Sequence, residues 1–379
     1  MEDYEQELKH IGISDNFRDL ERINPEATLK FLQINKSKSI LLKCVAKKNN
    51  FPLWENFKQN FADIIISLPS PASLDLIFAE SSGNSAFKQE ILNFRKNLKK
   101  NSWHFKIPSG SLEINRPLIM GILNVTPDSF ADGGRYLDPK KAIIHALDMV
   151  EAGVDIIDIG AESTRPGSEI VELEEEWRRI KSVFREIRKK VDLPISIDTY
   201  KAEIARRALE EGADIVNDIS GLNFDRKMVE VVAEFNVPVV LMHIKGTPRD
   251  MQKNPHYENL MEEIYSFLAN QIERANEFGI QQIIVDPGIG FGKRLEDNFE
   301  IIRRLKELKG LGFPILIGPS RKSFIGKTLN LPVDQRLLGT AAAVSACILN
   351  GAHIVRVHDV AEMRQVVEIT RAICERKFH

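Results

Sequence analysis

The chain has 379 residues, of which 43% are apolar and 28% are charged, and its formal net charge at pH 7 is −2. This balance is typical of a soluble globular protein and gives no reason to expect nucleic acid or an anionic membrane as a partner. The acidic start MEDYEQELKH, three widely separated cysteines and the absence of any apolar run of roughly 20 residues predict a cytoplasmic protein without signal peptide, membrane span or disulfide framework.

The first 112 residues predict a small N-terminal α/β extension, separate from residues 113–379. The runs SILLKCV and ADIIISL resemble strands, and helical patterns occur near Glu26–Ile34 and Ala86–Leu98. The basic run RKNLKK is interpreted as a solvated helix end, because cations are favourable at helix C-termini. No chemistry is evident in this extension. A packing addition, an oligomerisation element and a docking surface all stay open as its role.

From about residue 116 onward, short β-branched runs alternate with amphipathic helical patterns. The predicted strands are Leu118–Asn124, Ile156–Gly160, Ile195–Asp198, Ile215–Asp218, Val239–His243, Ile283–Asp286, Ile315–Gly318 and Ile354–Val357. The clearest helical patterns are Lys140–Ala152, Glu172–Val191, Lys201–Glu211, Asn259–Phe278 and Leu337–Asn350. Eight such units over about 260 residues predict an α/β fold of the (β/α)₈ TIM-barrel type, with a doubly wound open sheet as the alternative.

Polar side chains collect where these strands end. In a barrel of this kind, the catalytic groups come from the C-terminal ends of the strands and the loops that follow them. Singly, each such residue could be a cap or a turn residue. The recurrence of carboxylates, carboxamides and cations after all eight strands predicts one functional site at the barrel mouth.

These side chains fall into two chemical groups. One group suits a polyanion, with a carboxamide oxygen available to a hard cation; its members are Asn124, Arg165, Arg356 and His358. The second group, Asp198, Asn217 and Asp286, requires N–H donors or a metal if it is buried. A nitrogen-rich heterocycle would satisfy it, with Lys322 contacting the ring acceptors. The mouth therefore suits a ligand with a polar heterocycle at one end and a phosphate-like group at the other.

The ordered motifs MGILNVTPDSFADGG, IDIGAESTRPGS, SIDT, VNDISG, VVLMH, DPGIGFGK, GPSRKSFIG and VRVHDV resemble those of the dihydropteroate synthase family over roughly residues 116–375. The resemblance implies a pterin-binding TIM barrel. It also implies condensation of 6-hydroxymethyl-7,8-dihydropterin diphosphate with 4-aminobenzoate, giving 7,8-dihydropteroate and diphosphate in folate biosynthesis. Such an enzyme requires Mg²⁺ and is a target of sulfonamides, which mimic 4-aminobenzoate.

The resemblance also implies a role for each matching residue. The pterin would contact Asp198, Asn217, Met242, Asp286, Phe291 and Lys322. The diphosphate would contact Asn124, Thr164, Arg165, Arg356 and His358, with Mg²⁺ near Asn124 and Asp128. The 4-aminobenzoate would contact Phe130, Thr164, Pro166, Lys322 and Ser323. The catalytic set would be Lys322, Arg165, Asp198, Asp286, Arg356 and His358. By the same resemblance, the late barrel helices would form a homodimer.

Three other functions compete with this interpretation. A methyltetrahydrofolate-dependent methyltransferase would share the Asp/Asn/Asp pterin pocket, but the ESTRPG loop, SRK and RVHD favour a diphosphate leaving group. A metal-assisted hydrolase would use Asp198, Asp286 and His243, yet no second His stands at ligand spacing. A catalytically silent pterin-binding barrel would have no need to keep the anion-binding residues Lys322, Arg165 and Arg356.

Overall fold

The structure is a computed structural model that describes residues 96–126, 139–163, 167–168 and 170–374, together with Asn93. The predicted strands SILLKCV and ADIIISL and the helical patterns up to residue 92 lie outside the described residues. The chain divides into two units. The smaller unit comprises residues up to Lys100 with Gly310–Gly312, and the larger one comprises Asn101–Lys309 and Phe313–His379. In the smaller unit, Asn97 Nδ2 donates a hydrogen bond to the carbonyl oxygen of Gly310.

The larger unit contains a closed barrel of eight parallel strands. These are β3 (Leu118–Asn124), β4 (Ile156–Gly160), β5 (Ile195–Asp198), β6 (Ile215–Asp218), β7 (Val239–Met242), β8 (Ile283–Asp286), β9 (Leu316–Ile317) and β10 (Ile354–Val357). Each strand pairs with its neighbour in the chain, and β10 returns to pair with β3. A bridge between Val285 and Ile315 joins β8 to the start of β9 and closes the circle.

Nine helices of the described residues surround this barrel. They are α1 (Pro139–Glu151), α2 (Leu173–Arg188), α3 (Ala202–Glu210), α4 (Met228–Phe235), α5 (Leu260–Glu277), α6 (Leu295–Arg304), α7 (Ser323–Leu329), α8 (Leu337–Leu349) and α9 (Val360–Cys374). The strands are almost wholly buried, because the barrel interior covers one face and the helices cover the other. No helix in the described part of the chain has the length and apolar character of a membrane span.

An antiparallel hairpin covers the N-terminal end of the barrel. Its strands are β1 (Trp103–Ile107) and β2 (Gly110–Ile114), and alternate residues of β1 are buried. The buried face packs in one apolar cluster with residues at the beginnings of the barrel strands, such as Leu118 and Ile354. Since this end of the barrel is filled by side chains, a ligand has to enter from the C-terminal end.

The fold prediction is confirmed, and most predicted strands have the observed bounds. The fifth strand ends at Met242 instead of His243, and the seventh is reduced to Leu316–Ile317. The hairpin lies in the larger unit. Its first strand, WHFKI, alternates between buried and exposed residues, which corresponds to the alternation of apolar and polar residues in the sequence. The predicted division between residues 112 and 113 stays a prediction. It falls within β2.

Candidate active site

Ten of the predicted site residues belong to the described part of the chain, and they occur at or after the C-terminal ends of the barrel strands. They are Asn124, Asp198, Asn217, Met242, Asp286, Phe291, Lys322, Ser323, Arg356 and His358. The other five, Asp128, Phe130, Thr164, Arg165 and Pro166, lie outside the described residues. The roles assigned to all fifteen stay predictions.

Arg356, near the C-terminal end of β10, bridges two carboxylates. Its Nε donates to Oδ2 of Asp158 at 2.6 Å, and its Nη2 donates to Oδ2 of Asp198, also at 2.6 Å. Asn217 Nδ2 donates to the same oxygen of Asp158 at 3.1 Å. One cation, two carboxylates and a carboxamide from four different strands therefore form a single network.

Asp158 is the member of this network that the sequence prediction missed. It is the third residue of β4, in the apolar run IIDIG, and it is completely buried. A charged residue inside an otherwise apolar parallel strand was the signal available, because buried carboxylates require partners. Its Oδ1 has no hydrogen-bond partner within the described structure.

Lys322 and Asp286 lie at a second part of the mouth, beside the glycine-rich turn of residues 288–292. Asp286, the last residue of β8, accepts a hydrogen bond from the backbone N–H of Gly288 at 2.7 Å. The Lys322 ammonium donates to the carbonyl oxygen of Ile289 and lies 4.1 Å from the ring centroid of Phe291. The turn therefore positions a cation, a carboxylate and an aromatic face together.

The glycines of this turn allow its backbone to lie close to His243 and Lys322. A Cβ atom on Gly288 would lie 1.9 Å from the carbonyl oxygen of His243, and one on Gly290 would lie 2.8 Å from Cδ of Lys322. Both glycines also have positive φ, which side chains disfavour. The turn thus serves close backbone packing, and its GIGFG sequence lacks the spacing of a dinucleotide-binding motif.

Burial is the largest influence on the pKa values of these groups. It raises the pKa of Asp198 to about 7, although the positive charge of Arg356 opposes the shift. It likewise raises the pKa of Asp286 to about 6 and lowers the pKa of Lys322 to about 7, against the opposing effect of their mutual attraction. Burial also opposes the charge on Arg356, but Asp158 and Asp198 offset it and leave its pKa raised. Groups that titrate near neutrality at one mouth are typical of an active site.

Apolar side chains line another part of the mouth. Met242, the last residue of β7, is buried in a cluster with Ile219, Ile244 and Met251. Phe291 packs against this cluster and is partly buried. A flat heterocycle would find an apolar surface here, next to polar groups that can fix its orientation.

His243 and Lys293 form a buried pair behind the glycine-rich turn. Lys293 Nζ lies 2.9 Å from Nδ1 of His243 and donates to the carbonyl oxygen of Phe291 at 2.8 Å. Burial lowers the pKa of Lys293 to about 7, and burial with the Lys293 charge lowers the pKa of His243 well below its usual value. The final lysine of DPGIGFGK thus supports the turn, a contact that the sequence prediction did not assign.

The loop after β4 is held at its two ends by an ion-pair cluster. Lys201 lies 2.5 Å from Oε2 of Glu162 and 2.5 Å from Oε2 of Glu176, and it donates to the carbonyl oxygen of Val171. Tyr200 donates from its hydroxyl group to Oε1 of Glu162 at 2.6 Å. Glu162 and Val171, which flank the predicted Thr164–Pro166 segment, are therefore bound to one ammonium group.

His358 directly follows β10, and Ser323 begins α7. Ser320 Oγ is 2.9 Å from Nδ1 of His358 and also accepts from the His358 backbone N–H at 3.2 Å. Ser323 is the first residue of α7, directly after Lys322. Arg321, which lies between Ser320 and Lys322 in the sequence, forms an ion pair with Asp359. The two adjacent cations of PSRKS therefore differ in their surroundings: Arg321 forms an ion pair with Asp359, whereas Lys322 lies beside the glycine-rich turn.

Of the two residues predicted to bind Mg²⁺, Asn124 is the one that the structure describes. It is the last residue of β3, is half-buried at the mouth, and carries a carboxamide oxygen of the kind that Mg²⁺ accepts. Among the described residues, no group of three or more His, Cys, Asp or Glu side chains could hold a metal ion by itself. Such a site suits an ion that is bound together with a phosphate-bearing ligand, because Mg²⁺ usually keeps only one or two protein ligands.

Comparison with known proteins identifies the family. A family model described as "Pterin binding enzyme" matches residues 120–358. The dihydropteroate synthase of Synechocystis sp. is 49% identical over 261 residues, which cover 68% of this chain and 90% of that protein. The matches leave most of the N-terminal extension unaligned.

Solved structures agree with this result. The Yersinia pestis dihydropteroate synthase, solved with a sulfonamide drug complex, has a TM-score of 0.69 and 40% identity, covering 72% of this chain and 99% of that one. The Xanthomonas albilineans dihydropteroate synthase in complex with 7,8-dihydropteroate has a TM-score of 0.66 and 36% identity, covering 73% and 100%. This chain is a transferase enzyme that belongs to the dihydropteroate synthase family.

Proposed function

We propose that this enzyme condenses 6-hydroxymethyl-7,8-dihydropterin diphosphate with 4-aminobenzoate to give 7,8-dihydropteroate and diphosphate. The observation that carries the proposal is the single network in which Arg356 joins Asp158 and Asp198 beside Asn217. It places an anion-binding cation next to carboxylates that accept N–H groups. That is the combination which a pterin diphosphate requires.

The pterin binds in the deeper part of the mouth. Asp198, Asn217 and Asp286 accept or donate hydrogen bonds at the ring edge, and Lys322 contacts its acceptors. Met242 and Phe291 cover the ring faces, since both belong to the apolar cluster there. The structure of the Xanthomonas albilineans relative with 7,8-dihydropteroate supports a pterin ligand for this family.

The diphosphate and the aryl amine occupy the outer part. Asn124, Thr164, Arg165, Arg356 and His358 contact the diphosphate, and Ser320 orients the His358 ring. The 4-aminobenzoate lies among Phe130, Thr164, Pro166, Lys322 and Ser323. Sulfonamides compete for the same place, which the drug complex of the Yersinia pestis relative supports.

The reaction is a substitution at the pterin methylene carbon. The C–O bond to the diphosphate breaks first, and the electron pair leaves with the diphosphate. The methylene cation is delocalised into the pterin ring, where the carboxylates of Asp198 and Asp286 stabilise it. The amine nitrogen of 4-aminobenzoate then forms the C–N bond and releases one proton to the departing diphosphate or to solvent. Because the cation is the electrophile, the site needs no strong protein nucleophile.

We also propose that the enzyme uses Mg²⁺, which Asn124 and Asp128 would hold. When bound, Mg²⁺ supplies positive charge that lowers the energy of the departing diphosphate. Arg356 and Arg165 share the same task by donating charge-assisted hydrogen bonds to the diphosphate oxygens.

We also propose a cytoplasmic homodimer that forms through the late barrel helices α8 and α9. Large apolar side chains on these helices face solvent, namely Leu338, Leu349, Ile369 and Ile373. Leu338 and Leu349 are eleven residues apart, about three turns, and therefore share one helix face. Ile369 and Ile373 share another, since they are four residues apart. Exposed apolar faces of this kind are typical of subunit interfaces.

The decisive experiment measures diphosphate release by the purified chain with the pterin diphosphate and Mg²⁺, with and without 4-aminobenzoate. Release that depends on the amine, with an equal amount of dihydropteroate, is the expected result. Arg356→Gln should lower kcat/KM by about 10²-fold or more, as loss of an oriented transition-state donor does elsewhere. Arg185→Gln, which removes a surface ion pair with Glu211, is the matched control.

Two outcomes would overturn the proposal. Pterin binding without turnover would support a silent pterin-binding barrel. Methyl transfer from methyltetrahydrofolate, without diphosphate release, would support a methyltransferase.

A further inference from the structure

We propose that Asp158 is a positioning residue, which holds the guanidinium of Arg356 in place while the substrate occupies Asp198. Asp158 does not contact the substrate and acts through Arg356. The inference rests on the proposed function and goes beyond it, because it assigns a task to a buried carboxylate below the ligand pocket.

The two carboxylates meet different parts of the guanidinium. Asp158 accepts from Nε, next to the side-chain stem, whereas Asp198 accepts from Nη2 at the far end. A substrate whose ring N–H groups bind Asp198 competes with Nη2 for that carboxylate. Asp158 is then the partner that stays, and Nη2 becomes available to the diphosphate.

Strand register places Asp158 deeper than Asp198. Asp158 of β4 pairs with Ser196 of β5, and Asp198 lies two residues further toward the mouth. Side chains at i and i+2 of a strand point to the same face, so Asp198 lies one layer above Asp158. A ligand resting on Asp198 would not reach the deeper carboxylate.

The hydrogen bonding of Asp158 is unusual for a purely structural residue. Its Oδ2 accepts from both Arg356 and Asn217, while Oδ1 has no partner in the described structure. A buried carboxylate with one unpaired oxygen is costly, and an apolar residue of similar volume is often more stable in such a place. Its charge is therefore explained by the arginine that it orients.

The test uses Asp158→Asn in the full-length chain. The variant keeps the shape, and its amide oxygen can occupy the position of Oδ2, so both hydrogen bonds are preserved and only the charge is lost. Without the charge, the hydrogen bond from Arg356 Nε is weaker, so the guanidinium is held less firmly once the substrate occupies Asp198. We expect kcat/KM for the pterin diphosphate to fall about 10²-fold, because small misplacements of a catalytic group have effects of that size. The KM for 4-aminobenzoate should stay within about twofold, as for a site with no shared partner.

A double-mutant cycle with Arg356→Gln separates positioning from general damage. In the Arg356→Gln background, Asp158→Asn should change kcat/KM by no more than about twofold, because the guanidinium through which Asp158 acts is absent. Asp214→Asn is the matched control. Asp214 is equally buried and paired with an arginine, Arg188, but it lies before β6 at the opposite end of the barrel. It should lower the melting temperature and leave kcat/KM within about twofold.

The same cycle is read a second time on the affinity for inorganic diphosphate with Mg²⁺, measured by calorimetry. This measurement needs no turnover. If the wild-type chain does not release diphosphate from the substrate, the proposed function is wrong, and the affinity for inorganic diphosphate still tests the positioning role of Asp158. Asp158→Ser replaces the Asn variant if the latter does not fold. Wild-type behaviour of Asp158→Asn, equal losses in both backgrounds, or no diphosphate binding by the wild-type chain would each overturn the inference.

Discussion

The ammonium group of Lys322 lies 4.1 Å from the centroid of the Phe291 ring, and it also donates a hydrogen bond to the carbonyl oxygen of Ile289. Both contacts come from the glycine-rich turn that follows β8. A residue at the start of α7 is thus positioned by a turn more than thirty residues earlier in the chain. The position of this lysine therefore depends on the backbone of the turn.

Gly290→Ala tests that dependence. Its methyl group would lie 2.8 Å from Cδ of Lys322, so we expect the lysine to be displaced and kcat/KM to fall by about 10²-fold. Gly279→Ala is the control, because Gly279 has a similar positive φ and open space around it. Both variants should lose about 1 kcal/mol of folding stability from backbone strain. Equal activity in the two variants would show that Lys322 does not need this approach.

The rate should depend on pH in two directions. Asp198 and Asp286 carry negative charge and accept hydrogen bonds at both oxygens only when ionised. Burial raises their pKa values to about 7 and about 6, so kcat/KM should fall as the pH drops through this range. Lys322 carries positive charge only when protonated, and burial lowers its pKa to about 7, so kcat/KM should also fall at alkaline pH. Because these groups interact, the acid and alkaline limbs of the pH–rate profile report apparent pKa values that belong to the three groups together.

Lys322→Arg separates the two limbs. An arginine does not titrate in the accessible range, so the variant should keep the acid limb and lose the alkaline one, whatever its absolute rate. Titration of the substrate cancels when the profiles of the variant and the wild type are compared. An unchanged alkaline limb would assign it to another group.

Lys201→Met should destabilise the fold. Lys201 is the cation that contacts both Glu162 and the almost fully buried Glu176, and burial already raises the pKa of Glu176. Loss of one partner of a buried ion pair costs about 3 kcal/mol or more. Denaturant unfolding at pH 7 measures the loss. Lys189→Met removes an exposed pair with Glu186 and should produce no measurable change.

Truncation should separate the N-terminal hairpin from the rest of the extension. A chain that begins at residue 101 keeps β1 and β2, whose Trp103 and Phe105 are buried in the apolar cluster at the barrel base. A chain that begins at residue 113 loses β1 and most of β2 and exposes that cluster. We expect the first chain to fold and the second to aggregate, as judged by gel filtration. Equal behaviour would show that the hairpin is dispensable.

Leu338→Lys tests the proposed dimer. Leu338 is 83% exposed on α8, and a lysine there should weaken an apolar interface, so light scattering should give a lower molar mass than that of the wild type. Phe278→Lys is the control, because Phe278 is 46% exposed at the end of α5, which follows β7, three strands away from β10 around the barrel. A monomeric wild type, or the same loss in both variants, would contradict an interface on α8 and α9.

Much of the barrel could be predicted from the sequence. Strands such as Ile156–Gly160 and Ile215–Asp218 were predicted with their observed bounds, because a strand buried on both faces is a short apolar run between polar turns. The strand predicted at Ile315–Gly318 is only two residues long in the structure, Leu316–Ile317, and the apolar run did not indicate that it would be so short. The motifs at the strand ends also indicated the family.

The pairing of side chains was decided by the tertiary structure. The sequence indicated that Arg356 and Asp198 share the mouth, but residues 158 positions apart become hydrogen-bond partners only because β10 closes against β3 and brings its side chains to the barrel centre. Asp158 and Lys293 were missed for the same reason. Each is a single charge in an apolar or glycine-rich context, and its partner is set by strand register and turn geometry, which no local pattern encodes.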